Sequence, residues 1–573
     1  MNKAIVLAAL PLLLFTTACG QTRTDGSTGA TASPVDVAAV DAIFADFSGS
    51  DTPGCAVAVS RDGQTTLTRA YGMANLEFDV PNTPETIFEP GSVSKQFTAA
   101  ATIMLSLDGK ISLDDDIRDY LPELPDYGEP IRIRDLLNHT SGLRDWGSVA
   151  AIGGWPRTTR VHTHVQVLDI ASRQKALNYP PGKYYSYTNT GYNLQAIIIE
   201  RVTGKTFEEF SQERVFGPLG MTHTRWRDDF TEIVKNRSVA YRPDGEGGWK
   251  MLMPFENVVG NGGLLTTVGD LLKFTRNLDT GEVGGPEFLA EMHRQGVLDS
   301  GQQIAYASGL FVGEYKGIRE ISHSGGTAGY RGFLTRFPDY GLAVALMCNA
   351  ANANPGRMAH EVADLYLGDA LAEPTEIQGV EVSDQQLAAF AGGFRDPRTN
   401  AYVEITVEDG ALHAFGQDLT PVSERRFETE GGVSVEFEDA GNGGDAPGGR
   451  AIGGRAAAVF TTPVADPVRL EPVDSFAPTA AELADYTGAY TSAEAEVTYT
   501  MAVEDGALAM VDRYGRSRPL EPAYRDAFTG PLGTIVFHRD AGGRVTGLSL
   551  SQGRVWNLRF ERLSSPRPAT GGS

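Results

Sequence analysis

The segment Phe88-Glu89-Pro90-Gly91-Ser92-Val93-Ser94-Lys95-Gln96-Phe97-Thr98 leads directly into an apolar run at residues 99–107. Pro90 and Gly91 break an incoming extended stretch, and Val93, Phe97, Ala100, Ala101 and Met104 recur at helical spacing, so a buried helix is expected to start near Ser92. Ser92 then stands at a helix N-terminus, with Lys95 on the same face one turn later. A serine hydroxyl needs a base within hydrogen-bond reach to act as a nucleophile, and a desolvated, neutral lysine supplies one. The free N–H groups of the first turn favour negative charge on a tetrahedral intermediate. The spacing therefore suits serine acyl transfer. A second S-x-x-K match, Ser172-Arg173-Gln174-Lys175, lies in a mixed polar segment without a Pro-Gly break or an apolar helix, and its serine is read as a cap.

The chain begins with a lone basic Lys3, an apolar run at residues 4–15 and Thr16-Thr17-Ala18 before Cys19-Gly20. That pattern reads as a secretory signal with a lipobox-like ending, which makes Cys19 the expected lipidated N-terminus and the apolar run a removed segment. Residues 21–34 are rich in Gly, Ser, Thr and Ala and read as a tether. The expected destination is the cell envelope, at the outer membrane or facing the periplasm, with membrane contact only through the lipid.

At 573 residues the chain is long enough for several domains. Its formal net charge of −24 argues against a nucleic-acid partner or an anionic membrane surface. Apart from Cys19 only Cys55 and Cys348 occur, too few for a disulfide scaffold or a cysteine metal site; each borders an expected strand, and two buried thiols are favoured over a pair. His162 and His164 lack a third ligand at metal spacing and are read as surface residues. No metal or cofactor is expected.

Between residues 53 and 74 the chain reads as a hairpin about Asp62-Gly63. Residues 133–143 form a short helix running into a polar turn, where His139 is read as a hydrogen-bonded structural residue. A Gly-initiated loop, Pro181-Gly182-Lys183-Tyr184-Tyr185-Ser186-Tyr187-Thr188-Asn189, then enters an apolar helix at residues 194–202. Tyr187 can carry a proton between Ser92 and a leaving group, and Asn189 can hold Lys95 or a substrate amide; Tyr184, Tyr185 and Tyr192 compete for the first role and are read as packing. Later, His323-Ser324-Gly325-Gly326 follows a strand-like stretch at residues 307–312 and precedes two apolar strands about Pro338-Asp339-Tyr340-Gly341. Its glycines allow close approach of a substrate to strand backbone, and the N–H groups of Ser92 and Gly326 make an oxyanion hole.

Ser92-Val93-Ser94-Lys95, Tyr187-Thr188-Asn189 and His323-Ser324-Gly325, in that order, resemble the three motifs of the penicillin-recognising serine hydrolases, which include class C β-lactamases, D,D-carboxypeptidases, D-aminopeptidases and related esterases. The resemblance covers roughly residues 35–367 and extends to Pro218-Leu219-Gly220-Met221 and the phrases at residues 136–143 and 262–270. It implies an α+β fold with a β-lactamase-like antiparallel sheet flanked by helices. It also implies Ser92 as nucleophile, Lys95 and Tyr187 sharing acid–base work, Asn189 as a positioning residue, and His323, Ser324, Gly325 and Gly326 as the substrate-binding strand. Which of Lys95 and Tyr187 takes the first proton stays open. The third motif of β-lactamases usually begins with lysine; histidine there is mostly neutral near pH 7 and attracts an anionic substrate group less. The resemblance thus points to a small D-amino-acid peptide or amide as substrate, with a carboxylesterase, a weak β-lactamase and a slowly acylating cell-wall peptide binder as alternatives.

Downstream, Val407-Glu408-Asp409-Gly410-Ala411-Leu412 recurs verbatim as Val503-Glu504-Asp505-Gly506-Ala507-Leu508, and Phe390, Gly392 and Phe394 answer Tyr486, Gly488 and Tyr490 at the same offset. Short alternating strands with Asp-Gly turns predict two small antiparallel β-barrel-like domains, a tail that resembles that of three-domain D-aminopeptidases. The expected plan is a signal peptide at residues 1–18, a tether at 19–37, the hydrolase-like domain at 38–373, β domains at 381–474 and 478–565, and a disordered tail at 566–573.

Overall fold

A computed structural model describes residues 35–157, 159–372, 377–429, 432–438, 455–462 and 465–563. The expected signal peptide, Cys19, the tether up to residue 34, most of the Gly-rich segment before Arg455 and the C-terminal tail lie outside the described residues.

The catalytic unit is built on six antiparallel strands, β1 (Cys55–Arg61), β2 (Gln64–Tyr71), β3 (Phe311–Tyr315), β4 (Ile318–Thr327), β5 (Tyr330–Phe337) and β6 (Leu342–Cys348), in the order β2-β1-β6-β5-β4-β3. The neighbouring strands β1 and β6 are buried on both faces, so they read as nearly unbroken apolar runs. Their alternation sorts residues by size. Ala56, Ala58, Ala343 and Ala345 share a core with Leu271 and Phe274 of the helix Val268–Thr280, where small side chains let that helix lie close to β1 and β6, and helix α1 (Lys95–Leu107) packs behind it with Phe97 against Phe274. Val57, Val59, Val344 and Leu346 point the other way, into a core with Val40 of the helix Val37–Ile43, Phe44 just after it, and Met358 and Val362 of the helix Pro355–Leu367.

Cys55 and Cys348 are direct register partners on β1 and β6 and form a disulfide, in place of the two free thiols expected. Strand alternation alone did not reveal this, because the pairing depends on which strands become neighbours. The strand expected at residues 307–312 begins only at Phe311, and β3 pairs β4 no further than Ser322, so His323 to Thr327 have no strand partner on that side.

Both tail copies start with a capped helix, Asp384–Phe390 behind Ser383 and Ala480–Tyr486 behind Thr479. The first copy is a closed barrel running from Gly392–Arg395 to Ala465–Pro472. The second is a nine-stranded sheet whose end strands, Ser517–Pro519 and Glu521–Tyr524, are separated only by Leu520, so it is nearly closed. Asp409 and Asp505 take the same left-handed conformation in the repeated Asp-Gly turns, at φ of 50° and 49°.

Candidate active site

The chain from Phe88 reaches Ser92 through a rigid entry. Phe88 exchanges backbone hydrogen bonds with Thr266, and Glu89 is buried in an ion pair with Arg227. Residues Gly91–Ser94 then make one 3-10 turn before α1 begins at Lys95. In a 3-10 turn the side chains at i and i+3 eclipse, which brings the Lys95 amine over the Ser92 hydroxyl. Within residues 86–105 only Ser92 is not fully buried.

Lys95 Nζ lies 3.1 Å from Ser92 Oγ, 2.9 Å from Asn189 Oδ1 and 2.7 Å from the Asn261 carbonyl. Two carbonyl acceptors consume the two N–H bonds of a neutral amine, leaving its lone pair for the serine proton. Complete burial, followed by the positive charges of Arg554 and Arg157, holds the Lys95 ammonium well below its ordinary range, against a smaller opposing pull from Asp145. Asn193 fixes the second acceptor by donating to Asn261 Oδ1.

Tyr187 and Asn189 end the loop before helix α2 (Thr190–Thr203). Asp145 Oδ2 accepts the Asn189 N–H at 2.8 Å while its other oxygen caps the helix Trp146–Ile152 through Ser148. The Tyr187 ring lies 4.9 Å from Lys95 Nζ and 4.8 Å from the Arg554 guanidinium. Burial pushes its hydroxyl up to about 12, with Arg554 and the nearby Ser92 hydroxyl opposing, so it is protonated at neutral pH. That hydroxyl has no hydrogen-bond partner of good geometry among the described residues.

His323, Ser324, Gly325 and Gly326 lie on β4 beside the Gly91–Ser94 turn. A Cβ on Gly325 would fall 1.8 Å from the Pro90 carbonyl oxygen and 2.7 Å from the Ser92 nitrogen, and one on Gly91, at φ +56°, would fall 2.5 Å from the Gly326 nitrogen. These two glycines therefore serve the contact between the first and third motifs themselves. The His323 ring is spent internally, with Nδ1 2.6 Å from the Ser324 carbonyl and Nε2 3.0 Å from the Tyr306 hydroxyl. Burial above all, with a smaller push from any positive charge on Lys95, brings its pKa down to about 3, so the ring is neutral near pH 7.

The structure thus gathers Ser92, Lys95, Tyr187 and Asn189 into one cluster and lays residues 323–326 alongside. Ser172 ends the helix His164–Ser172, where its hydroxyl donates to the Asp169 carbonyl. Tyr192 donates to the Leu137 carbonyl, and Tyr184 packs near Trp556. His139 accepts the Thr188 N–H and lies against the rings of Tyr187, Tyr192 and Tyr306, in keeping with a structural role. His162 is corrected from surface to core, because it packs on Trp146 at 2% exposure, and His164 is half-buried against Val259. Neither histidine's burial is signalled locally, since the covering residues come from distant segments.

Sequence reasoning missed Asp145, Asn261 and Arg554. Asn261 immediately precedes the phrase at residues 262–270, and its contribution is a backbone carbonyl. Arg554 occupies a turn in the second β copy, far along the chain from the other members.

Residues 40–368 match the family model described as Beta-lactamase. A D-aminopeptidase of Gluconobacter oxydans is 27% identical over 534 residues, covering 92% of this chain and 94% of that protein. A D-aminopeptidase of Brucella canis is 26% identical over 547 residues, covering 92% of this chain and 99% of that protein. Among solved structures, the octameric penicillin-binding protein homologue from Pyrococcus abyssi shares the fold at a TM-score of 0.55 and 24% identity, over 76% of this chain and 99% of that one.

Proposed function

This chain belongs to the Beta-lactamase family, and from that premise we propose that its serine-hydrolase site cleaves the amide bond of a small D-amino-acid peptide or amide through an acyl-enzyme on Ser92. Ser92 Oγ forms the new bond to the substrate carbonyl carbon while its proton passes to the Lys95 lone pair. Lys95 is the first acceptor because it is held neutral, whereas the Tyr187 phenol keeps its proton. The N–H groups of Ser92 and Gly326 take the oxyanion. As the C–N bond breaks, the amine leaves with a proton relayed by Tyr187, and water hydrolyses the ester by the reverse relay.

The observation that carries the mechanism is the Lys95 amine, fully buried and 3.1 Å from Ser92 Oγ. The D-amino-acid preference is supported by the relatives named D-aminopeptidase, whose match spans nearly the whole of both chains and therefore includes the β copies. Export with a lipid anchor at Cys19 is part of the same reading, supported by the leader sequence and by the Cys55–Cys348 disulfide, which persists best in an oxidising compartment. The test is steady-state turnover of D-alanine amide, L-alanine amide, a short acyl ester and a chromogenic cephalosporin. D-alanine amide should give the highest kcat/KM; faster turnover of the ester or the cephalosporin contradicts the reading, and labelling of Ser92 without turnover of any of them indicates a binder.

A further inference from the structure

Strands β7 (Val545–Gln552) and β8 (Val555–Arg562) of the second β copy meet in the turn Gly553-Arg554, and this turn is pinned to the catalytic unit. The Arg554 carbonyl accepts the Asp145 N–H and the Asn178 side-chain amide, both at 3.2 Å, and the Trp556 N–H donates to Asn178 Oδ1 at 2.8 Å. The backbone is therefore held before any substrate arrives. The half-buried side chain places its guanidinium 4.8 Å from the centre of the Tyr187 ring, and the Lys95 amine lies 4.9 Å from the same centre.

The other charged side chains around the site are neutralised or occupied: Arg331, beside Gly326, donates to the Ala328 and Tyr330 carbonyls. Arg157 is paired with Glu256. Asp145 spends its carboxylate on the N–H groups of Asn189 and Ser148. Lys95, His139 and His323 are all driven towards their neutral forms by burial. Arg554 has neither an ion pair nor a side-chain hydrogen bond among the described residues, and its guanidinium lies over the Tyr187 ring. A guanidinium carries five N–H donors and no acceptor, in a fork that matches a carboxylate. An ammonium group brought to the same place meets like charge.

We propose that Arg554 binds the terminal carboxylate of a short peptide, so that the preferred substrate is a peptide with a free C-terminus and not an amide or an ester. The proposal rests on the D-amino-acid hydrolase reading above and narrows it. It also assigns the second β copy a direct part in substrate choice.

The test compares D-alanyl-D-alanine with its C-terminal amide, which share the free amine and the scissile bond and differ only in the carboxylate. In the full-length wild type the acid should exceed the amide in kcat/KM by about tenfold, the scale of one charge-assisted hydrogen bond in a half-exposed site. Arg554→Gln should bring the ratio near one, and Arg554→Lys should keep part of it, since the charge stays but the fork is lost. Because both substrates are measured on the same preparation, the ratio is insensitive to partial misfolding. A wild-type ratio at or below one, or a ratio unchanged in Arg554→Gln, overturns the proposal while leaving the D-amino-acid reading standing. If neither peptide is turned over, that broader reading has failed, and the carboxylate site is decided by protection of Ser92 from a neutral fluorophosphonate. N-acetyl-D-alanine should then protect at lower concentration than N-acetyl-D-alanine amide in wild type but not in Arg554→Gln; equal protection in wild type overturns it.

Discussion

The first β copy keeps its core to itself, with Leu387, Phe394, Leu412, Phe427 and Val435 packed together inside the barrel. The second joins Leu483, Tyr499 and Leu548 to Trp146, Ile152, Val167 and Ile170 of the catalytic unit in one continuous core. Polar contacts follow the same division. Arg144 and Glu494 form a pair buried to 2% and 4% side-chain exposure between the catalytic unit and the second copy, where Tyr499 also donates to the Ile152 carbonyl. The first copy mainly touches the second, through Tyr402 to Thr534 and Asn400 to Asn557, and reaches the catalytic unit with Arg398 over the Tyr184 ring. Two copies of one module thus have different tasks: one is a satellite, the other a wall of the active site.

The largest expected difference is in stability. Arg144→Ala leaves Glu494 charged and buried, and should cost about 3–5 kcal/mol in urea unfolding. Arg395→Ala, which breaks the half-exposed pair with Glu471 in the first copy, should cost at most about 1 kcal/mol. Equal losses would erase the distinction between the copies. Calorimetry with and without reductant probes it from another side, because neither copy contains a cysteine. Opening Cys55–Cys348 should lower the stability of the catalytic sheet by about 2–4 kcal/mol. The second copy should unfold earlier along with it, while the first keeps its transition. A first-copy transition that shifts by as much as the others would show a single cooperative unit instead.

A smaller effect sharpens the comparison at the level of chemistry. In the proposed mechanism Lys95 must be neutral to accept the Ser92 proton, and the Arg554 charge lowers its pKa. Arg554→Gln removes that charge and raises the Lys95 pKa, so the acid limb of kcat/KM should move to higher pH. Arg398→Gln, on the first copy, should leave the limb in place. A limb unmoved by the Arg554 change would mean that Lys95 does not feel the second copy.

Much of the site was legible because its residues come in short local phrases. The Pro-Gly break and apolar spacing located the turn that carries Ser92, the 3-10 geometry accounts for why Ser92 and Lys95 meet, and the repeat of Val407 to Leu412 at Val503 to Leu508 announced the two β copies. The remainder depends on contacts between remote segments. Cys55 and Cys348 pair because β1 and β6 become neighbours across 293 residues. His162 is buried by a helix placed elsewhere in the chain. Arg554 sits in an ordinary strand-turn-strand phrase, and nothing local tells that its turn docks on Asp145 and Asn178 while the first copy faces outward.

The central claim is that Ser92, activated by Lys95, carries the acyl group, and its most direct measurement is intact-protein and peptide mass spectrometry after treatment with a fluorophosphonate. One mass increment should appear, on the peptide containing Ser92; it should vanish in Ser92→Ala, fall by about a hundredfold in rate in Lys95→Ala, the scale of lost general-base help, and persist in Ser172→Ala. Labelling that survives Ser92→Ala at full rate would contradict the account.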